Sequence, residues 1–80
     1  MTASEYAFLS YFYQLLFERA QEAQTILKQA TIDGENLAFA QGRALAYYEV
    51  IATFTSQVDI YSLDEIRIGI RPGDSDSLLN

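Results

Sequence analysis

Eighty residues carry a formal net charge of −6, half of them are hydrophobic, and neither histidine nor cysteine is present. The length allows one domain, and the apolar fraction is too high for a disordered chain. The absence of histidine and cysteine excludes disulfides, thiolate chemistry and the general base that enzymes most often use at neutral pH. The negative charge argues against a general affinity for nucleic acid or for an anionic membrane.

An apolar repeat of seven residues runs through most of the chain. Spacing of this kind places apolar side chains along one side of an α-helix and requires a second helix to cover them. One row of the repeat consists of Leu9, Leu16, Ala23, Ala30, Leu37, Ala44, Ile51 and Val58. A second row, three residues further on, consists of Phe12, Ile26, Ala40, Tyr47 and Phe54.

The first helix is predicted from Thr2 to about Ala30, because Thr2 and Glu5 form a capping-box pattern. A turn is then expected at about Ile32–Gly34, with Asp33 as the N-cap of a second helix that runs from about Glu35 to Val58. The alternative is one continuous helix, since the seven-residue repeat keeps its phase across this region. The hairpin is favoured because a glycine inside a helix costs ~1 kcal/mol.

Residues 1–60 are thus predicted to form a helical hairpin, and residues 61–80 a C-terminal flap and tail that is not an independent domain. Ser62 and Glu65 offer a second capping box for a short turn over Leu63–Ile66. The last seven residues, 74–80, are predicted to be a frayed tail.

Between the turn and the tail, Ile66, Ile68 and Ile70 alternate with Arg67 and Gly69, a strand-like period of two. Two interpretations of this stretch remain open. It could add as a strand to the sheet edge of a partner protein. It could equally pack as a flap over the chain's own helices.

Near its start, helix 1 is apolar over more than half of its circumference. Exposing all of these side chains would create a larger patch than soluble monomers usually tolerate. A homodimer or a larger even-numbered assembly would cover it, because two hairpins can pack as a four-helix bundle around a two-fold axis. The predicted interface consists of Phe8, Tyr11, Phe12, Leu15, Leu16, Tyr47, Tyr48 and Ile51. The predicted fold class is all-α: an antiparallel two-helix hairpin that dimerises into a four-helix bundle, with a short irregular C-terminal segment.

Charged residues on the two helices are the remaining candidates for chemistry. Glu18, Glu22 and Glu49 are carboxylates, but no Glu-x-x-His pair accompanies them, so we interpret them as solvated side chains. Arg19 occupies a position of the second apolar row. It either fixes register as a buried polar residue or extends to the edge of the helix and pairs with Glu22, which is the favoured alternative.

The stretch Gly42-Arg43-Ala44-Leu45-Ala46-Tyr47-Tyr48-Glu49 resembles a Gly-Arg-x-x-Ala-Tyr-Tyr-Glu pattern of small uncharacterised bacterial helical-hairpin proteins, with cyanobacteria as a candidate source. This resemblance implies a helix and no activity. In length, acidity and a repeat that continues through an Asp-containing turn, the chain is also similar to Rop, a dimeric four-helix bundle that binds paired RNA loops. That similarity includes no matching binding residues and is one of fold alone.

The expected protein is not an enzyme, and no catalytic residue, cofactor or metal is predicted. The expected function is that of a small homo-oligomeric adaptor or regulatory partner of another protein. The alternative is a Rop-like regulator that binds structured nucleic acid. Because the amino terminus lacks the basic region of a signal peptide and no apolar stretch approaches ~20 residues, we expect a cytoplasmic protein with no membrane contact.

Overall fold

Two long helices dominate the computed structural model, which describes residues 1–33 and 36–79 and, within 31–33, the backbone only. Helix α1 covers Ala3–Asp33 and helix α2 covers Leu37–Ile60. Two short helices follow, α3 at Glu65–Ile68 and α4 at Asp74–Ser77. All regular structure in the described ranges is helical, which confirms the predicted all-α class.

Helix α1 begins with the predicted capping box. The Thr2 N–H donates to Glu5 Oε1 at 2.7 Å, and the Glu5 N–H donates to Thr2 Oγ1 at 3.1 Å. These bonds satisfy two backbone donors that a helix start leaves unpaired. Neither glycine nor proline interrupts the sequence from there to Gly34, so the helix continues to Asp33, past the predicted end at Ala30.

The connection between the long helices differs from the prediction. Asp33 is the last residue of α1 and not the N-cap of α2. That position belongs to Asn36, which adopts a left-handed conformation with φ 53° and makes no capping hydrogen bond through its side chain. Asparagine tolerates this conformation better than most residues. Ile32 also belongs to α1, whereas Gly34 and the predicted helix start at Glu35 lie outside the described residues.

Helices α1 and α2 pack side by side and run in opposite directions. The rings of Phe12 and Phe54 lie 6.3 Å apart between centroids, and Arg43 Nη2 lies 3.7 Å from Glu22 Oε1. A continuous helix would separate residues 12 and 54 by ~63 Å. The alternative of one long helix is therefore wrong, and the pair of helices is consistent with the predicted hairpin.

At the end of α2 the chain reverses through a tight capping structure. Ser62 adopts a left-handed conformation with φ 55°, and the Leu63 N–H donates to the Val58 carbonyl at 3.0 Å. This hydrogen bond returns the chain to the last turn of α2, as in a Schellman motif. It directs residues 61–79, which we call the flap, back along the helix pair.

The strand-like prediction for Ile66–Ile70 is wrong, because this stretch begins as helix α3. Asp64, and not Ser62, is its N-cap and accepts from the Arg67 N–H at 3.1 Å. Gly69 ends α3 with φ 94°, a left-handed conformation that glycine adopts readily. The helix turns Ile68 inward, and Ile70 follows it into the core. Of the two interpretations left open by the sequence, the structure therefore shows the flap and not a free docking strand.

The predicted frayed tail is also an ordered part of the fold up to its last described residue. Gly73 precedes α4 with φ 82°, and the Ser77 N–H donates to the Gly73 carbonyl at 2.9 Å. Asp74 and Leu78 are buried. Asn80 lies outside the described residues.

The core lies where the flap covers the groove between α1 and α2. Helix α3 contacts α1, and α4 contacts α2. Ile51 from α2 and Ile68 from the flap are completely buried there. The buried cluster consists of Tyr13, Phe17, Ala20, Ile51, Val58, Ile68, Ile70 and Leu78. The flap thus supplies the third layer that two helices alone lack.

Candidate functional site

The predicted interface residues fall into three environments. Four of them are exposed in the single chain: Phe8, Tyr11, Phe12 and Leu15. Three are half-buried and pack against the core cluster: Leu16, Tyr47 and Tyr48. Ile51 is 0% exposed and lies within the chain's own core. Because α2 turns Ile51 toward α1 and the flap, it has no surface that a second copy could touch, and we remove it from the predicted interface.

One broad side of the helix pair carries no flap. Its residues on α1 recur every three or four positions and therefore share one face of the helix: Phe8, Phe12, Leu15, Arg19, Glu22 and Ile26. Its residues on α2 do the same: Phe39, Arg43, Tyr47, Val50 and Phe54. We call these eleven residues the open face. Phe8 is 67% exposed and stacks on Phe12 at 6.1 Å, so the face is continuous across neighbouring turns.

A polar band, formed by Arg19, Glu22 and Arg43, divides the open face into two apolar regions. Arg43 lies 5.4 Å above the ring of Tyr47 and within 3.7 Å of Glu22. Its Nη1 atom is buried and has no hydrogen-bond partner among the described residues. Arg19 is exposed one turn from Glu22. Two arginines thus accompany one glutamate on this face, in a chain whose net charge is −6.

The placement of Arg19 corrects one of its two predicted roles. Arg19 is exposed, so a buried polar residue that fixes register is not present in the single chain. The carboxylate of Glu22, its other predicted partner, forms its ion pair with Arg43 of the facing helix.

On the opposite side, a buried hydrogen bond ties the flap to α1. The Tyr13 hydroxyl donates to Asp74 Oδ2 at 2.8 Å, and the Arg71 N–H donates to the same oxygen at 3.0 Å. The other oxygen, Oδ1, lies 3.6 Å from Arg71 Nε. Burial of the Tyr13 phenol, together with its hydrogen bond to Asp74 and the negative charge there, raises the pKa of Tyr13.

A second attachment holds the beginning of the flap. The Tyr6 hydroxyl accepts from the Asp64 N–H at 3.0 Å, and the Arg67 guanidinium lies 4.1 Å above the Tyr6 ring. Sequence reasoning missed both attachments. The available signal is the hydroxyl groups of Tyr6 and Tyr13, because hydroxyl groups on an otherwise apolar helix face indicate buried polar partners. Asp74, eight per cent exposed, had no local signal beyond its position after Pro72-Gly73.

A groove of about 330 Å³ lies between α1 and the flap. Its floor contains Tyr13 and Phe17, and Gln14, Glu18 and Arg71 line its rim. The Tyr13 hydroxyl and the Asp74 carboxylate form a hydrogen bond with each other. Glu18 accepts a long hydrogen bond of 3.4 Å from Gln14 Nε2. The buried carboxylate of the groove is thus occupied by donors from Tyr13 and Arg71.

The candidate carboxylates lie apart from each other. Glu18 borders the groove, Glu22 belongs to the polar band of the open face, and Glu49 lines a shallow depression on α2. Among the side chains that the structure describes, no three carboxylates come together in a way that could hold a metal ion. No helix in the described part of the chain is both long and apolar enough to cross a bilayer.

In comparisons with known proteins, no family model, no curated protein and no solved structure matches this chain. The geometry of its two sides is therefore the basis for any functional assignment.

Proposed function

We propose that this protein is a small, non-enzymatic adaptor that forms a homodimer through the open face. The observation that carries the proposal is the difference between the two sides of the helix pair. The flap covers one side, whereas the other exposes the large apolar side chains Phe8, Phe12 and Leu15 of α1 and Phe39 and Val50 of α2. A second copy with the same face would complete a four-helix bundle.

The magnitude of the expected gain supports such an assembly. Complete burial of one such side chain is worth ~1.5–3 kcal/mol. Association of two molecules costs ~4–15 kcal/mol. Several half-exposed side chains on each copy are needed to offset that cost, and the open face carries them on both helices. A single isolated apolar residue, such as Ile66 on the flap, could not.

The role as an adaptor rests on the apolar side chains that a dimer would leave exposed. Ile66 and Leu79 lie on the flap, outside the open face, and both are exposed. Exposed apolar side chains on a packed element are typical of surfaces that bind another protein. The mutually satisfied Tyr13–Asp74 pair and the dispersed carboxylates support a non-catalytic role.

Sedimentation equilibrium at micromolar concentration tests the dimer. We expect twice the chain mass of 9.0 kDa for the wild type. Leu15→Asp and Val50→Asp should each sediment as monomers, because each places a charge within the apolar open face. Ile66→Asp is the matched control and should remain dimeric, since this side chain is 88% exposed on the flap. A wild type that sediments at 9.0 kDa alone would contradict the proposal. Helical circular dichroism shows whether each variant remains folded.

Affinity capture from lysate tests the adaptor role with the same variants. Immobilised wild type should retain a protein that Ile66→Asp loses, although this variant stays dimeric. Nuclease treatment distinguishes the alternative function. Capture that disappears after nuclease digestion would support binding of structured nucleic acid and would contradict a protein partner.

A further inference from the structure

We infer that the two copies associate around a two-fold axis parallel to the helices, so that α1 of each copy packs on α2 of the other. This inference rests on the proposed homodimer and specifies its geometry. It follows from the order of apolar and charged residues along the open face, compared between the two ways in which this face can pack on itself.

The contacts within the chain fix which residues of α1 and α2 lie at the same level. Phe12 is level with Phe54, whose ring it contacts, and Glu22 is level with its ion-pair partner Arg43. Both helices rise 1.5 Å per residue. Between and beyond these contacts, the same register places Leu15 beside Val50, Arg19 beside Tyr47 and Ile26 beside Phe39.

Rotation about a two-fold axis parallel to the helices leaves the height of each residue along that axis unchanged. It brings α1 of one copy opposite α2 of the other. Each residue of α1 then faces the residue of the second copy that stands beside it in its own chain. The facing pairs are Phe12 with Phe54, Leu15 with Val50, Arg19 with Tyr47, Glu22 with Arg43, and Ile26 with Phe39, the second member of each belonging to the second copy.

All of these pairs are chemically complementary. The aromatic and aliphatic pairs exclude water from both apolar regions. Glu22 meets a second arginine, so that two glutamates and two Arg43 side chains surround the axis at one level. Arg19 lies over the face of a tyrosine ring, as Arg43 already does within the chain at 5.4 Å.

A two-fold axis perpendicular to the helices gives a poorer match. It places α1 on α1 of the second copy in the opposite direction. Centred on the open face, between Phe8 and Ile26, it faces Phe12 with Glu22 and Leu15 with Arg19. Glu22 would keep its ion pair with Arg43 of its own chain, but Arg19 would be buried against Leu15 with no partner in the second copy, which is costly. Displacing this axis until Arg19 faces Glu22 would pair the charges, but it would move Phe8 and Phe12 beyond the open face of the second copy. The parallel axis is therefore the one that pairs the charges without losing apolar contact.

Disulfide cross-linking can read this geometry directly, because the chain has no cysteine of its own. Two single variants are prepared, Leu15→Cys with a size tag and Val50→Cys without one. They are mixed, equilibrated and oxidised, and the products are separated by non-reducing electrophoresis. We expect a cross-linked heterodimer in the mixture. We expect none in either variant alone, since like helices lie diagonally in the bundle, ~14 Å apart between axes for neighbours 10 Å apart, beyond the reach of a disulfide.

The other outcomes of the cross-linking and sedimentation experiments distinguish failure of this geometry from failure of the homodimer. Cross-linking of Leu15→Cys with itself would place α1 on α1 and overturn the inference. A mixture that sediments as a dimer but forms no heterodimeric disulfide would also overturn it, while leaving the homodimer itself intact. Ile66→Cys mixed with Val50→Cys is the control for random collision and should give no product. Monomeric sedimentation of the wild type would remove the proposed homodimer and the inference together.

Discussion

Replacement of Ile68 by alanine tests whether the flap belongs to the core. Ile68 is completely buried in the core cluster between the flap and the two long helices, whereas Ile66, two residues earlier in α3, is 88% exposed. Ile→Ala removes three carbon atoms at each site and changes helix propensity by the same small amount. The two substitutions therefore differ in burial alone.

The expected difference follows from the burial of those carbons. At ~0.8 kcal/mol for each buried methylene, the lost transfer free energy at Ile68 is ~2.4 kcal/mol. The cavity left behind adds to it, and measured values for this substitution in cores are ~2–5 kcal/mol. Ile66→Ala should change the free energy of unfolding by ~0.5 kcal/mol or less, as surface substitutions usually do.

Urea unfolding followed by far-ultraviolet circular dichroism measures both values. All variants are compared at one protein concentration, because the stability of a dimer depends on it. Equal effects of Ile68→Ala and Ile66→Ala on the transition, with hydrogen exchange at Ile70 the same in both variants, would refute the packing of the flap. If the flap detached without unfolding the long helices, Ile68→Ala would leave the main transition unchanged, and hydrogen exchange at Ile70 would then rise to the rate of an unprotected amide.

Three further results are expected from single residues. Gly42→Ala should raise the free energy of unfolding by ~0.5–1 kcal/mol in urea titrations, since it lies inside α2 with no atom near its added methyl group. Gly69→Ala should lower it by ~1–2 kcal/mol in the same assay, because φ is 94° there, and an equal response of the two glycines would contradict the assignment. The raised pKa of Tyr13 keeps its contribution to stability complete below pH ~10, where an unfolded tyrosine ionises, and loses it as pH rises above that value. The free energy of unfolding should therefore fall by up to ~1.4 kcal/mol per pH unit in alkaline titrations, and Tyr13→Phe should show a shallower decline; identical slopes would refute a buried phenol.

The long helices could be predicted because their signals are local or periodic. Thr2 and Glu5 specify the start of α1 through side chains three residues apart, and the predicted bonds are present. The apolar spacing places Phe12 and Phe54 in the same row of the repeat, and in the structure their rings are in contact. Both kinds of signal are readable from a single sequence because they depend on helix geometry alone.

The flap could not be predicted because its structure depends on contacts distant in sequence. The alternation of Ile66, Ile68 and Ile70 is typical of a strand. The structure has a helix here instead, because Asp64 caps its start and Gly69 caps its end. These two caps are local signals, but they do not specify which isoleucines turn inward or where α3 docks. The bond from Tyr13 to Asp74, by contrast, joins residues 61 positions apart and has no local signal.

The predicted interface residues differ in exposure because burial follows helix phase. Phe8, Tyr11, Phe12 and Leu15 are exposed in the single chain, so they are accessible to a partner as the prediction requires. The open face contains three of them, Phe8, Phe12 and Leu15, whereas Tyr11 lies outside it. Ile51 belongs to the same seven-residue row as Leu16, another predicted interface residue. The repeat does not distinguish positions that face the interior of the hairpin from positions on its surface.

The attachment of the flap also sets an order of events in folding. Its hydrogen bonds link Tyr6 with Asp64 and Tyr13 with Asp74, so they close loops that span most of the chain. Loop closure costs conformational entropy before any contact compensates it. The helix pair, with its shorter connection, should form first and expose apolar side chains on both sides until the flap docks. During synthesis the flap follows both long helices, so its docking onto them is the step that gives the molecule one covered side and one side free to associate.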